Sequence, residues 1–265
     1  MGFFSWLFKR KQKQIKLGIA LGSGGAKGFA HLGALKAFEE NGISFDVVAG
    51  TSIGSVVGAF YSAGYSSTDM AELIKRLLLP EFKNVLMAKT SIYDIIEREI
   101  DGRNIEELAK PFMAVATKLD TGEEHVFDRG SVAEALTASS SIPPYFKPFI
   151  IGGERYVDGA FVNAIPADLV RRMGADYVVG IDLHTQESKM GILNKIFPTY
   201  KSNVENPREK GYANCDVMLH PDLNQFNSTS VLQADAMYDI GYHHALSFIP
   251  KIKADLDKLR AKKTK

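Results

Sequence analysis

Residues 45–63, with the sequence FDVVAGTSIGSVVGAFYSA, join a short apolar run to a longer one through a serine flanked by glycines. The first run, 45–49, predicts a buried strand, and the second, 53–63, is small and apolar on all sides, as in a buried helix. Between them, Gly50-Thr51-Ser52-Ile53-Gly54 matches G-x-S-x-G in the strand–turn–helix setting of a nucleophilic serine. The alternative is that Ser52 only caps the following helix.

A second glycine-rich turn, LGSGGAKG at 21–28, follows the apolar run 15–21 and precedes helical periodicity over 26–41. It is not a Walker A loop, because Lys27 precedes Gly28 and no Ser or Thr follows. It is not a dinucleotide fingerprint either, because Lys27 occupies the position of the third glycine. Successive glycine amides at a helix N-terminus can hold a phosphate or a transient oxyanion. A tight turn with no ligand is the alternative.

The rest of the chain alternates between strand-like and helix-like patterns of apolar residues. Strand patterns cover 112–117, 124–127, 149–151, 155–157, 177–183 and 217–219, and helical patterns cover 132–139, 169–173 and 231–263. This alternation predicts an α/β layered fold with a mostly parallel sheet. Pro250 predicts a break in the last helix. Residues 185–213 are the least regular and are interpreted as an insertion, in which 190–197 forms either a lid or an internal packing helix.

Composition is ordinary for a globular protein, with 265 residues, 45% apolar and 24% charged. The single cysteine, Cys215, excludes a disulfide framework and a multi-cysteine metal site. The net charge of +1 hides an asymmetry: residues 1–16 carry five basic residues and no acid, and residues 251–265 carry seven basic and two acidic residues. Residues 17–250 hold 20 basic and 29 acidic residues. The basic ends predict contact with an anionic surface.

The first residues, MGFFSWLFKRKQKQ, place aromatic side chains before a basic run. This order differs from that of a secretory signal, and seven or eight apolar positions are too few for a membrane span, which needs about 20. Aromatic and basic residues together suit the headgroup layer of a membrane. We therefore expect a cytoplasmic protein, peripheral on the inner face of the membrane.

A nucleophilic Ser52 needs a base. In an α/β-hydrolase triad the acid and the histidine follow the serine in the chain, and His184, His220, His243 and His244 all lie downstream. None of them sits in a recognisable loop signature, and a serine on the second strand is early for that fold. A carboxylate acting directly is the other option.

Three ordered segments resemble the patatin-like phospholipases, and in particular their bacterial members. LGSGGAKGFAHLGALKAFEENG (21–42) is similar to the family's oxyanion loop, GTSIGS (50–55) to its nucleophile elbow, and VDGAFVNAIP (157–166) to its D-G-[GA] segment. ATKLDTGEEHVFDRG (116–130) and ASSSIPPYFKPF (138–149) strengthen the likeness.

The resemblance implies a three-layer α/β sandwich and hydrolysis of phospholipid or lysophospholipid acyl esters through an acyl-enzyme. By position, Ser52 is the nucleophile and Asp158 the base of a Ser–Asp dyad; their proximity is implied by the resemblance alone. The implied oxyanion donors are the amides of Gly24, Gly25 and Ala26. Lys27 is implied to lend positive charge nearby.

The resulting organisation is a basic aromatic tail (1–16), a catalytic domain (17–250) and a basic helical tail (251–265). We expect no metal, no cofactor and no nucleic acid, and leave the oligomeric state open. Two other functions remain: a lipid-binding or regulatory protein of the same fold with little turnover, and a triad esterase of the α/β-hydrolase type.

Overall fold

The computed structural model describes residues 14–76, 91–183 and 204–264. Its strands are β1 (Leu17–Leu21), β2 (Val47–Thr51), β3 (Phe112–Lys118), β4 (Glu124–Phe127), β5 (Phe149–Ile151), β6 (Glu154–Asp158), β7 (Tyr177–Ile181) and β8 (Val217–Leu219). Its α-helices are α1 (Phe29–Glu40), α2 (Ile53–Ser62), α3 (Ser67–Arg76), α4 (Ile92–Ile100), α5 (Val132–Ser139), α6 (Ala167–Arg172), α7 (Glu209–Asn214) and α8 (Ala234–Thr264).

The strands form one sheet in the order β5-β6-β3-β2-β1-β7-β8, with β4 pairing to β3. The five strands from β3 to β8 in this order are mutually parallel, and β4, β5 and β6 add antiparallel pairs at one side. Every residue of β1, β2 and β7 is buried, as expected for parallel strands covered on both faces. The predicted mostly parallel sheet is confirmed.

Helices cover both faces of this sheet and make three layers. Along β1, Ile19 and Leu21 belong to a core that includes Phe38 of α1, whereas Ala20 belongs to a separate core with Val170 of α6. This alternation follows from the period of two along a strand. The predicted three-layer α/β architecture is therefore confirmed.

The sheet has a topological switch point between β1 and β7. From β1 the chain proceeds to β2 and β3 on one side, and β7 and β8 lie on the other. Loops that leave adjacent parallel strands in opposite directions open a crevice at the carboxyl ends, where α/β proteins bind ligands. The glycine-rich turn after β1 and the elbow after β2 both lie at this edge.

Helix α8 packs along α1 through two glycines. A methyl group at Gly33 would lie 1.9 Å from the carbonyl oxygen of Tyr238, and one at Gly241 would lie 2.1 Å from that of Ala30. The two backbones therefore approach more closely than any side chain would allow.

The predicted helix break at Pro250 is wrong, because α8 runs without interruption from Ala234 to Thr264. Ile249 and Ile252, on either side of the proline, are both buried in the core. Packing of this apolar stripe keeps the segment helical although Pro250 has no amide hydrogen to donate. Residues 251–265 thus continue this helix as far as Thr264, and the domain boundary at 250 stays a prediction.

Several predictions lie outside the described residues. These are the aromatic tail up to residue 13, the lid or packing helix at 190–197, and His184. Within the described ranges, no helix combines the length and apolarity needed to cross a membrane.

We predict that Gly33→Ala lowers the free energy of unfolding by about 1–3 kcal/mol, because the added methyl group forces α1 and α8 apart. Alanine's higher helix propensity, worth about 1 kcal/mol, is too small to offset this clash. Chemical denaturation checks the result, with Lys36→Ala on the same helix as the control. Equal or greater stability of Gly33→Ala would contradict the close helix contact.

Candidate active site

The serine elbow is a sharply bent turn between β2 and α2. Ser52 has φ of 57° and ψ of −127°, a region that L-residues rarely occupy. A methyl group at Gly50 would lie 2.2 Å from the Gly54 carbonyl oxygen, and one at Gly54 would lie 2.1 Å from the Leu21 carbonyl oxygen. The backbone therefore leaves no room for a side chain on either side of the serine.

The Ser52 hydroxyl donates a hydrogen bond to Asp158, with 2.5 Å between Oγ and Oδ2 across 106 positions of sequence. The Ser52 side chain makes no capping bond to α2, so the alternative of simple helix capping is wrong. Both residues are buried, Ser52 at 8% and Asp158 at 1% exposure. The structure thus brings together the two side chains that the sequence connects only through family resemblance.

Strand β3 explains why these distant residues meet. The last residue of β2, Thr51, pairs with Val115, and the last residue of β6, Asp158, pairs with the next position, Ala116. Strand β2 runs parallel to β3 and β6 runs antiparallel, so both strands end at the same point on β3. Ser52 follows directly after Thr51 and is therefore placed beside the carboxylate.

Four hydrogen bonds fix the backbone and the second carboxylate oxygen of this pair. The Ser52 amide donates to Ser139 Oγ at 2.8 Å, and the Asp158 amide donates to the Ser141 carbonyl at 3.0 Å. Thr117 Oγ1 donates to the Asp158 carbonyl at 2.8 Å, and the Ala160 amide donates to Asp158 Oδ1 at 2.9 Å. These hydrogen bonds were not predicted from the sequence, in which only the serine run at 139–141 pointed to them.

Burial governs the charge of Asp158. Removal from water raises the pKa of its carboxyl from 3.8 to about 6, although the hydrogen bonds from Ser52 and Ala160 lower it. The group is therefore ionised at neutral pH and is a stronger base than a solvated carboxylate. A base with a pKa near the working pH is suited to proton transfer.

The glycine-rich turn lies against this elbow. A methyl group at Gly28 would approach Ile53 Cγ1 to 2.2 Å, so the turn contacts the residue that follows Ser52. The Gly22 amide donates to the Ile181 carbonyl and the Ser23 amide to the Ala164 carbonyl, each at 3.0 Å. These bonds attach the start of the turn to the ends of neighbouring segments.

The predicted oxyanion donors differ in their availability. Within the described ranges, the amides of Gly24 and Gly25 have no acceptor. The Ala26 amide instead donates to the Ser228 carbonyl at 2.8 Å. It is therefore occupied in this structure, and its role as an oxyanion donor stays a prediction. Ser228 lies in the segment that follows β8, and no local motif indicated its contact with Ala26. Lys27 is buried at 7% exposure, and its charge contribution stays a prediction.

The first amide of α2, on Ile53, is a further donor that sequence reasoning missed. Helix amides in the first turn have no partner within the helix and point out of its N-terminus. Because Ile53 directly follows the serine, its amide lies at the elbow itself, the position that commonly completes an oxyanion hole in serine hydrolases.

Other histidines lie elsewhere in the described part of the chain. His244 Nε2 accepts from the His220 amide at 3.0 Å, and His220 Nε2 lies 3.2 Å from the Tyr212 hydroxyl. His31 Nε2 contacts the Gly22 carbonyl at 2.8 Å. The Ser52 hydroxyl donates to Asp158 and not to any of these rings.

The sheet, the elbow and the glycine-rich turn together define an α/β protein with the patatin-like fold. The patatin-like phospholipase family model matches residues 19–171, and the chain belongs to this family.

Relatives of this chain include proteins of mammals and of mycobacteria. Patatin-like phospholipase domain-containing protein 6 of human and of mouse is 29% identical over 273 residues, covering 86% of this chain and 20% of the relative. An uncharacterized NTE family protein of Mycobacterium tuberculosis is 32% identical over 181 residues, covering 65% of this chain and 50% of the relative. The chain thus spans a fifth to a half of these relatives, and the comparisons do not single out bacterial members.

Two solved structures share the fold. VipD from Legionella pneumophila has a TM-score of 0.53 at 16% identity and covers 89% of this chain and 67% of its own. The ExoU–SpcU complex of Pseudomonas aeruginosa has a TM-score of 0.51 at 15% identity, covering 89% and 51%. At these identities the likeness concerns the fold alone.

We predict that Asp158→Asn stabilises the protein at neutral pH. The folded-state pKa of about 6 lies above the ordinary 3.8, so the stability contributed by the protonated carboxyl is lost as pH rises through 6. Asparagine carries no charge and still accepts from the Ala160 amide. The free energy of unfolding should rise by about 1–3 kcal/mol at pH 8 and by much less at pH 4.

Denaturant titrations of both proteins at the two pH values measure this difference. Asp168→Asn, which changes a carboxylate on α6, is the control and should show no comparable gain. A loss of stability in Asp158→Asn at pH 8 would contradict the claim that the buried charge of Asp158 destabilises the folded protein.

Proposed function

We propose that this protein is a serine lipid acyl hydrolase that cleaves acyl esters of phospholipids or lysophospholipids through a Ser52–Asp158 dyad. The observation that carries the proposal is the 2.5 Å hydrogen bond from Ser52 Oγ to a buried carboxylate at a strained elbow. Membership of the patatin-like phospholipase family supports a lipid acyl ester as the substrate class.

The first half of the reaction forms an acyl-enzyme. Asp158 Oδ2 accepts the Ser52 proton while Oγ attacks the ester carbonyl carbon. The carbonyl oxygen becomes an oxyanion, for which the amides of Gly24, Gly25 and Ile53 are the proposed donors. Asp158 then returns its proton to the departing alcohol oxygen, and the acyl group remains on Ser52.

Water completes the cycle. Asp158 takes a proton from a water molecule as that water attacks the acyl carbonyl. When the second tetrahedral intermediate collapses, the bond between Ser52 Oγ and the acyl carbon breaks, Asp158 returns its proton to Oγ, and the fatty acid is released. The same amides serve both intermediates because the oxyanion forms on the same atom. Loss of one such donor typically lowers the rate by about 10²–10³.

Peripheral attachment to a membrane is part of the proposal. The last turns of α8 expose Lys258 and Lys262, four residues apart on one side of the helix, while Ile252 and Leu256 are buried. Lys258 pairs with Asp255 at 3.6 Å, which only partly neutralises this surface. Together with the basic residues of 1–16, these two lysines would bring the acidic region 17–250 to anionic lipid.

We predict that Ser52→Ala abolishes ester hydrolysis and that Asp158→Asn lowers kcat by about 10²–10⁴-fold, because the nucleophile then lacks a base. Assays use defined phospholipids, lysophospholipids and short esters, with circular dichroism to verify folding. His220→Ala and His244→Ala are the controls and should keep wild-type rates.

Other outcomes separate the alternatives. Full activity of Asp158→Asn with loss in a histidine variant, including His184→Ala, would favour the triad esterase. Wild-type protein that binds lipid vesicles but neither hydrolyses esters nor reacts with a fluorophosphonate would favour a binding or regulatory role.

For the membrane, we predict that the full chain co-sediments with phosphatidylserine-containing vesicles in a salt-sensitive manner. The double reversal Lys258→Glu/Lys262→Glu should weaken binding at least about tenfold, since each basic residue near the surface contributes about 1 kcal/mol. A form lacking residues 1–14 should bind more weakly still.

The matched control reverses two exposed basic residues elsewhere, Arg98→Glu and Arg129→Glu. Equal loss in both double variants, or equal binding to neutral vesicles, would contradict attachment through the basic ends.

A further inference from the structure

His31 occupies an unusual position beneath the glycine-rich turn. It is the third residue of α1, is completely buried, and its Nε2 lies 2.8 Å from the Gly22 carbonyl oxygen. Because a carbonyl oxygen only accepts, Nε2 must carry a hydrogen. Burial lowers the pKa of the ring to about 4, so at neutral pH it is an uncharged Nε2–H tautomer.

The second ring nitrogen makes His31 costly as a core residue. Within the described part of the chain, His31 Nδ1 is buried and has no hydrogen-bond partner. A buried polar atom without a partner destabilises the fold, and an apolar side chain of similar size would avoid this penalty. The contact made by Nε2 is therefore the property that distinguishes histidine at this position.

The hydrogen bond from His31 is one of three that hold the first peptide groups of the turn. The Gly22 amide is held by Ile181, the Gly22 carbonyl by His31, and the Ser23 amide by Ala164. Glycine has a wide choice of backbone conformations, so a glycine-rich turn keeps one orientation only if its neighbours impose it. The amides of Gly24 and Gly25, for which the described residues supply no acceptor, follow immediately after these held groups.

We propose that His31 is a positioning residue that aims the Gly24 and Gly25 amides at the developing oxyanion by holding the Gly22 carbonyl. This inference rests on the proposed hydrolase function. It assigns His31 no contact with substrate and no transfer of a proton. Its role requires one donor at the Nε2 position, delivered from the rigid first turn of α1.

Two substitutions separate a positioning role from a packing role. His31→Gln places an amide donor near the position of Nε2, whereas His31→Leu fills the site with an apolar side chain and donates nothing. We expect His31→Leu to lower kcat about 10²-fold with KM changed less than about twofold, on the order of the loss of an oxyanion donor. His31→Gln should recover kcat to within about tenfold of wild type.

Leu35→Ala is the matched control, since it creates a cavity on the same buried face of α1 away from the turn. It should lower the melting temperature without changing kcat. The acid limb of the pH–rate profile should stay at the same pH in His31→Gln as in wild type, because His31 does not exchange protons with the substrate. A shifted limb, full activity in His31→Leu, or a His31→Gln as slow as His31→Leu would overturn the proposal.

Hydrogen–deuterium exchange supplies a readout that does not depend on turnover. In His31→Leu, peptides spanning residues 22–28 should exchange at least about tenfold faster than in wild type and in His31→Gln. The exchange rates of peptides from α1 should stay unchanged. Unchanged exchange in this turn would overturn the positioning role even if the enzyme is active. If wild type hydrolyses no ester, the hydrolase proposal fails, and the exchange data still decide whether His31 holds the turn.

Discussion

The site depends on two strands, β2 and β6, that end at adjacent positions on β3. Strand β2 approaches β3 in parallel and β6 approaches it in the opposite direction, and their last residues pair with the adjacent positions Val115 and Ala116. This arrangement fixes the separation of the Ser52 and Asp158 backbones before any side chain is considered. The 2.5 Å hydrogen bond is a consequence of the sheet, and a slip of one residue in either strand would abolish it.

Three unfavourable features of the molecule lie at or beside this site. Ser52 has a positive φ, Asp158 is a buried carboxyl with a raised pKa, and His31 has a buried nitrogen without a hydrogen-bond partner in the described residues. Each feature costs free energy in the folded state. The fully buried strands β1, β2 and β7 and the close packing of α1 on α8 provide the stability that offsets them. Such features within a well-packed fold are typical of functional sites.

The sequence predicted much of the fold because its strong signals are local. The elbow at Ser52, the glycine-rich turn and the strand patterns at 149–151 and 155–157 each depend on residues that are neighbours in the chain. The failures concern contacts over long distances. Nothing near Pro250 indicates that burial of Ile249 and Ile252 in the core keeps it in a helix, and nothing near Ala26 indicates that its amide is taken by Ser228. The meeting of Ser52 with Asp158 is also a long-range contact, which the sequence indicated only through the family resemblance, since it requires β6 to return antiparallel along β3.

The central claim is that the carboxylate of Asp158 activates Ser52 directly. The most direct measurement is the pH dependence of Ser52 acylation by a fluorophosphonate, followed by intact mass. The claim predicts a rate that rises with pH through a single apparent pKa of about 6, because only ionised Asp158 accepts the serine proton. An acid limb that persists in Asp158→Asn and disappears when a histidine is substituted would contradict it.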